Sequence, residues 1–507
     1  MQSNRIELEL SLSIDLLNAP GNLQVSRKEL LNGFLEKFMR HRFLVAAFAI
    51  PLGIRALPEI LAGPYPIGYD TIASYIPVML DWGSGNLRGF NPMVGGWLIF
   101  AIFGVTYSAT HIDPIFIGKI AGPALYGILG LSEYFFARRS LGWESKRCLL
   151  FVVITSFSFV SLRLSFDLFR NTLGTAFLLL SLGAGRNLKT PRDAIIFALL
   201  TWFVTATHLL VATLLFGILF LQAFTAPAGF RKLMLATPGL AQYAISLIAL
   251  SLGGVTAFSN GEFAFPSISP YAYLAYIFLP FVPMAILGFI RARSPTLLLW
   301  LIVCGAGFVT STVSSPLSDQ LVSPDRWAIM MVIPLGVYAT SGISRWKRQG
   351  RDLFRFSSAI FPAWIVIVLV MGATFMVLPA SLSFPYYRYF EPTSMEQSTI
   401  PVQDSHNVVE AMGWLSSNIL PTDGFMTNNA IYGWAREYFR APNPLVWYLP
   451  NTTLEQALQA TIQKGYTRIY TVWWANGQGW YGQPTVPTGF SLAQRFGDFG
   501  VFVYTTA

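Results

Sequence analysis

Asp70 stands in Gly63-Pro64-Tyr65-Pro66-Ile67-Gly68-Tyr69-Asp70-Thr71, directly after the first long apolar run. A carboxylate there can accept a proton from a hydroxyl or an amide, the work of a general base; its plain alternative is a turn residue beside Gly and Pro. A second run, Arg163-Leu164-Ser165-Phe166-Asp167-Leu168-Phe169-Arg170-Asn171, sets an acid between two arginines at spacings of four and three. All three can share one helix face. Guanidinium groups match phosphate oxygens two at a time, so the run reads as an anion clamp, with a self-neutralising helix-end network as the competing reading. His208, in Thr205-Ala206-Thr207-His208-Leu209, and Arg326, in Asp325-Arg326-Trp327, are further candidates for an anionic group. Each also has a bland reading, a hydrogen-bonded bundle histidine and a local Asp–Arg pair. Lys119 has no acid near it in sequence and joins the anion-binding candidates. Arg55 and Glu59 are spaced four apart and are expected to pair with each other.

These residues are carried by a chain made for a bilayer. Of 507 residues, 53% are hydrophobic and only 12% charged, against about 25% charged in a soluble domain. The formal charge of +9 lies in short loops between apolar runs, as the positive-inside rule produces, and points away from nucleic acid. Cys148 and Cys304 both fall in apolar runs, so neither a disulfide framework nor a zinc site is indicated. Residues 1–42 are polar and mixed in charge and read as a cytoplasmic segment without a signal peptide; Arg5–Leu17 reads equally as surface-bound or disordered.

A crossing helix takes about 20 apolar residues. Phe43–Gly63 and Pro114–Ala137 qualify. If Val94–Thr110 also crossed, Arg138, Arg139, Lys146 and Arg147 would fall outside, so 64–113 is read as one external loop holding an interfacial helix. Later runs at 147–162, 171–185, 194–207, 208–224, 236–257, 271–291, 295–313, 326–343 and 357–380 bring the total to about eleven crossings. The pair between 194 and 224 reads as helices broken around Thr205–His208. The expected architecture is therefore a mainly α polytopic bundle over 43–380, N-terminus in and C-terminus out. Residues 381–507 form a small external α/β domain. Helical periodicity marks Val408–Asn418 and Thr452–Gln463, and alternation marks strands at Tyr466–Trp474 and Phe499–Thr505. Asn451-Thr452-Thr453 is a glycosylation triplet.

This topology gathers Asp70, Asp81, Arg88, Asp113, Arg163, Asp167, Arg170, His208, Asp319, Asp325 and Arg326 on the outer side. Ionisable groups at membrane depth are costly and mark function by default. A carboxylate, several arginines, a histidine and an apolar wall suit a lipid-phosphate substrate: the arginines hold the phosphate, and the base takes a proton from the incoming nucleophile.

With these residues in view, the chain resembles the GT-C superfamily of membrane glycosyltransferases, which use polyprenyl-phosphate-linked sugar donors. Gly68-Tyr69-Asp70-Thr71 with Tyr75 resembles their acidic loop motif. His111-Ile112-Asp113-Pro114, the span closing on Arg138-Arg139, Ser161–Gly174, Thr207-His208 and Asp325-Arg326-Trp327 leading to Pro334 also look like such proteins. Ala411–Asn418, Pro421, Asp423 and Ala430–Trp434 look like the start of the soluble domain of oligosaccharyltransferase-like proteins. The first loop has one Asp in place of the acidic pair of protein mannosyltransferases and aminoarabinose transferases. Asn428-Asn429-Ala430-Ile431-Tyr432 replaces the Trp-Trp-Asp-Tyr-Gly of oligosaccharyltransferases, which favours transfer of a single sugar.

The resemblance implies Asp70 as the catalytic base. Arg163, Arg170, His208, Arg326 and Lys119 are then the donor-phosphate candidates, and Tyr69, Tyr75, Asp113 and Asp167 line the site. The acceptor, a glycan, lipid or protein, is left open, and the expected place is a cell membrane with the site on its external face. No cofactor motif is present, but Asp70, Asp113 and Asp167 are an oxygen set that Mg or Mn could use. The competing functions are a transporter or flippase of a lipid-linked or anionic solute, and a noncatalytic scaffold.

Overall fold

The computed structural model describes residues 27–225, 227–252, 281–290, 294–312, 324–349, 357–377, 400–439, 445–448, 454–476 and 489–506, with a few single positions between. Contacts divide the chain into Met1–Val45 and Ala46–Ala507. The first unit contributes only the opening turns of a helix to the described residues; all the other elements belong to the second.

Helix α1 (Arg27–Leu61) ends where Gly63 takes a positive φ of 78°. The loop then folds into a π-helical turn (Thr71–Tyr75), α2 (Ile76–Gly83) and α3 (Leu98–Thr110). With 13 residues, α3 is about 20 Å long, short of the roughly 30 Å hydrocarbon layer. Asp113 caps α4 (Pro114–Ser140), its carboxylate accepting from the Ile115 amide at 2.9 Å. The run expected at 147–162 is not one straight span. Instead α5 (Ser145–Ser156) and α6 (Phe159–Phe166) meet at 71°. Ser158 is extended at the bend, and Gly372 lies against the Phe157 carbonyl, where a side chain would collide.

Beyond the bend run α7 (Phe169–Ala184), α8 (Pro191–Thr207) and α9 (Leu209–Thr225). The expected break falls at His208, whose backbone is extended with φ −159° and ψ 126°. Next come α10 (Pro227–Leu235) and α11 (Thr237–Ser251), bent by 66°. They are followed by α12 (Val282–Phe289), α13 (Pro295–Thr312), α14 (Pro324–Met330), α15 (Val332–Gln349) and α16 (Ser357–Val377).

Among the described residues, four helices are long and apolar enough to cross a membrane: His41–Leu61, Pro114–Ser140, Pro295–Thr312 and Pro324–Ile343. The two bent pairs would make six, and Leu98–Thr110, Leu209–Thr225 and Ala363–Thr374 are shorter apolar helices. Part of the span expected at 271–291 lies outside the described residues, as do Asp319 and the Asn451 triplet.

The C-terminal part alternates α17 (Ser405–Asn418), β1 (Gly424–Asn428), α18 (Asn429–Tyr438), β2 (Leu445–Tyr448), α19 (Leu454–Ile462), β3 (Arg468–Trp474), β4 (Ser491–Phe496) and β5 (Phe499–Thr505). One sheet orders them β2-β1-β3-β5-β4. The β1 pairings are parallel, Phe425 facing Leu445 on one side and Tyr470 on the other; β3–β5 and β5–β4 are antiparallel. The expected elements are present, with β1, β2, β4 and α18 in addition. Trp473 and Phe425 share one buried cluster with Ile72, Ile76 and Phe103, so the sheet domain packs on the first loop. Gly433 of α18 abuts the backbone of Ile72 and Ala73, where a Cβ would approach within 2.6 Å. Arg436 donates to Asp81 at 2.9 and 3.1 Å.

Candidate active site

Two charged clusters flank the Gly63–Thr71 loop. The first fixes its entry. Arg55 is fully buried and donates from Nε to the Ser165 carbonyl (3.1 Å) and from Nη2 to Glu59 (2.6 Å) and the Phe166 carbonyl (3.2 Å). Its guanidinium lies over the Phe166 ring, and Nη1 has no hydrogen-bond partner there. Glu59 accepts from the Ile67 amide at 3.3 Å. Lys119, expected to meet an anion, is held here instead. Its ammonium donates to the carbonyls of Glu59 (2.7 Å), Gly63 (2.8 Å) and Tyr65 (3.0 Å), with the Glu59 carboxylate 3.5 Å away. An ammonium has three N–H bonds to give, and all are taken.

The second cluster surrounds Asp70. Gly68 brings the loop to it: with φ +117°, a Cβ there would stand 2.6 Å from Asp167 Cβ and 2.8 Å from the Phe166 carbonyl. Only glycine fits so close an approach at that dihedral. Asp70 then starts the π-helical turn, half-buried, where Asp167, Arg170, Arg326 and Arg163 all act on its charge. Burial and the Asp167 carboxylate push its pKa up to about 6, against the pull of the three guanidiniums.

The other members are placed by their helix ends. Arg163 closes α6 and ion-pairs with the buried Asp167. Arg170 opens α7, half-buried, with its guanidinium 5.2 Å from the Phe100 ring centre. Gly96, hydrogen-bonded to the Thr205 carbonyl at 3.2 Å, passes close enough that a Cβ would lie 3.9 Å from Arg170 Nη1. Arg326 stands on α14, 3.8 Å from Asp325, too long for a good hydrogen bond. His208 is 6% exposed and within the field of both Arg170 and Arg326. Its Nδ1 accepts from the Leu210 amide at 3.2 Å, which leaves Nε2–H as the donor. Tyr75 is buried and stacks on Phe169 at 5.0 Å, and burial raises its pKa.

The structure thus brings Asp70, Arg163, Asp167, Arg170, His208, Arg326 and Tyr75 together. Lys119 and Asp113 serve the loop entry and a helix cap instead. Tyr69 lines a narrow cleft between the loop and α18, with Ile72, Ala73, Ala430 and Trp434. Among the described residues, no three His, Cys, Asp or Glu side chains are grouped to hold a metal; Asp113 is engaged at its cap and Asp167 with Arg163.

Sequence reasoning missed Phe100 and Gly96, which back Arg170 from the far side of the loop. It missed the ties that hold that segment too, Gly95 to Ser246 (2.7 Å) and Gln242 to the Pro92 carbonyl (2.8 Å). These are contacts across about 150 residues of chain, and no local pattern announces them.

No family model matches the sequence, and no curated protein matches it. Solved structures do match. ArnT from Cupriavidus metallidurans in the apo state aligns with TM-score 0.57 and 14% identity over 92% of this chain and 98% of that one. The two chains share an overall fold. The same ArnT bound to undecaprenyl phosphate aligns with TM-score 0.53 and 14% identity, over 91% and 98%. At that identity the likeness is one of fold.

Proposed function

We propose that the chain is a membrane glycosyltransferase that moves a single sugar from a polyprenyl-phosphate donor to an acceptor at the external face of a cell membrane. The observation that carries this reading is a half-buried carboxylate, Asp70, facing guanidiniums from three different helices. The fold shared with a protein solved bound to undecaprenyl phosphate supports the enzyme over a solute carrier.

Asp70 takes the proton from the acceptor hydroxyl or amide as that atom attacks the anomeric carbon. The bond from that carbon to the phosphate oxygen breaks, and its electron pair leaves on the polyprenyl phosphate. Arg170 and Arg326 hold the phosphate oxygens, with His208 Nε2–H as a neutral donor beside them. Arg163 anchors Asp167, so that the second carboxylate does not compete with the phosphate. Displacement at the sugar carbon in one step needs one base, in agreement with the single Asp of the Gly68–Thr71 motif.

The test is transfer of labelled sugar from polyprenyl-phosphate donors by purified protein, comparing wild type with Asp70→Asn and Arg170→Ala. Turnover is expected to fall by about 10²–10⁴-fold in the first and donor KM to rise in the second. Unchanged transfer in both would remove the site. Cysteines placed across Arg138–Lys146 should resist an impermeant thiol reagent, and labelling there from outside would reverse the orientation.

A further inference from the structure

A second polar cavity lies at the other end of the same helices. Ser140 closes α4, Gly185 and Arg186 follow α7, Gln222 lies near the end of α9, and Ser294–Thr296 begin α13. Arg170 and Arg186 sit at opposite ends of α7, whose 16 residues measure about 24 Å. The cavity measures about 230 Å³, an order of magnitude above what one water requires.

Gly229 allows it to form. It lies against the Gln222–Ala223 backbone, where a Cβ would come within 2.7 Å of the Ala223 amide, so α10 folds tightly back onto α9 and carries Lys232 to the cavity. Among the described residues, no carboxylate lines it. Arg186 Nη1 donates to the Arg139 and Ser140 carbonyls, while Nε and Nη2 have no partner among the described residues. Among the described residues the Lys232 ammonium meets only Gln222 Oε1, at 3.5 Å, and Gln222 Nε2 donates to Thr296 Oγ1 at 3.1 Å. Two cations, two serines and the first turn of an 18-residue helix therefore converge on one space that no acidic side chain shares.

We propose that this cavity binds a phosphate-class anion, with Arg186 and Lys232 as its charged ligands, on the membrane face opposite Asp70. A phosphodiester lipid headgroup and free phosphate share this chemistry, and the site stands whether or not the Asp70 cluster transfers a sugar.

Full-length protein in detergent is titrated with phosphatidylglycerol, with zwitterionic phosphatidylethanolamine and with inorganic phosphate, reading adducts by native mass spectrometry and the melting temperature. Paired Arg186→Gln and Lys232→Gln changes should weaken binding about tenfold or more. Lys232→Arg should keep it, as should Lys189→Gln at an exposed site. Preference for phosphatidylglycerol over both other ligands identifies the anion as a lipid headgroup; equal response to inorganic phosphate identifies a soluble anion. Equal binding by wild type and the paired variant overturns the site, as does an equal loss in Lys189→Gln. Should the paired variant melt early, Lys232→Glu alone, folded by size-exclusion, decides in the same way.

Discussion

The two clusters beside the first loop use the same residue types to opposite ends. Around Glu59, every ammonium hydrogen of Lys119 and three donations from Arg55 are spent on protein oxygens. Around Asp70, Arg170 rests on a ring and Arg326 stands 3.8 Å from the neighbouring Asp325. A buried ion network whose donors are used up is a clamp; one in which Arg170 and Arg326 are held in place with donors to spare suits the anion proposed for it. Burial and charge alone do not separate the two, but the hydrogen-bond inventory does.

The largest expected effect breaks the open cluster. Asp70→Asn should cut transfer by about 10²–10⁴-fold, the usual worth of a general base, while the melting temperature at neutral pH holds or rises. The sign follows from linkage: a carboxyl whose folded pKa is raised contributes stability below about pH 4, and that contribution is lost as pH rises through about 6. A variant that melts early would place Asp70 with the clamp. Next is the closed cluster. Arg55→Met leaves Glu59 buried without its main partner, and a loss of about 3–5 kcal/mol is expected in unfolding experiments. The protein that survives should keep a near-normal donor KM. Arg170→Ala should do the reverse, raising KM about tenfold or more with little change in melting.

A pH profile sharpens the contrast further. Transfer should fall tenfold per unit below about pH 6, as Asp70 takes up its proton, and level off above. Asp404 in the sheet domain is also pushed up to about 6, by burial and by Asp498. The profile of Asp404→Asn must therefore match wild type for the assignment to stand. The smallest effect is expected at the half-exposed Arg436–Asp81 pair, where Arg436→Ala should cost about 0.2–1 kcal/mol.

Much of the architecture is legible in the chain. Apolar run length places α1, α4 and α13, and alternation places β3 and β5, because each pattern reflects burial of one contiguous segment. The grouping of Asp70, Arg163, Asp167, Arg170, His208 and Arg326 can be read from polar residues at the ends of apolar runs. Lys119 is not legible: its partners are backbone carbonyls of Glu59, Gly63 and Tyr65, and a carbonyl leaves no mark in sequence. The bend at Phe157–Ser158 is equally silent, since no Pro or Gly announces it and the neighbour packed there, Gly372, is remote in the chain.

The contact of Gly433 with Ile72 and Ala73 has a consequence for biogenesis. The Asp70 turn is synthesised well before the surface that braces it, which comes from α18, far downstream in the chain. A nascent chain holding every charged residue of the open cluster still lacks its brace until α18 docks, so a chain cut short before that helix is born unfinished.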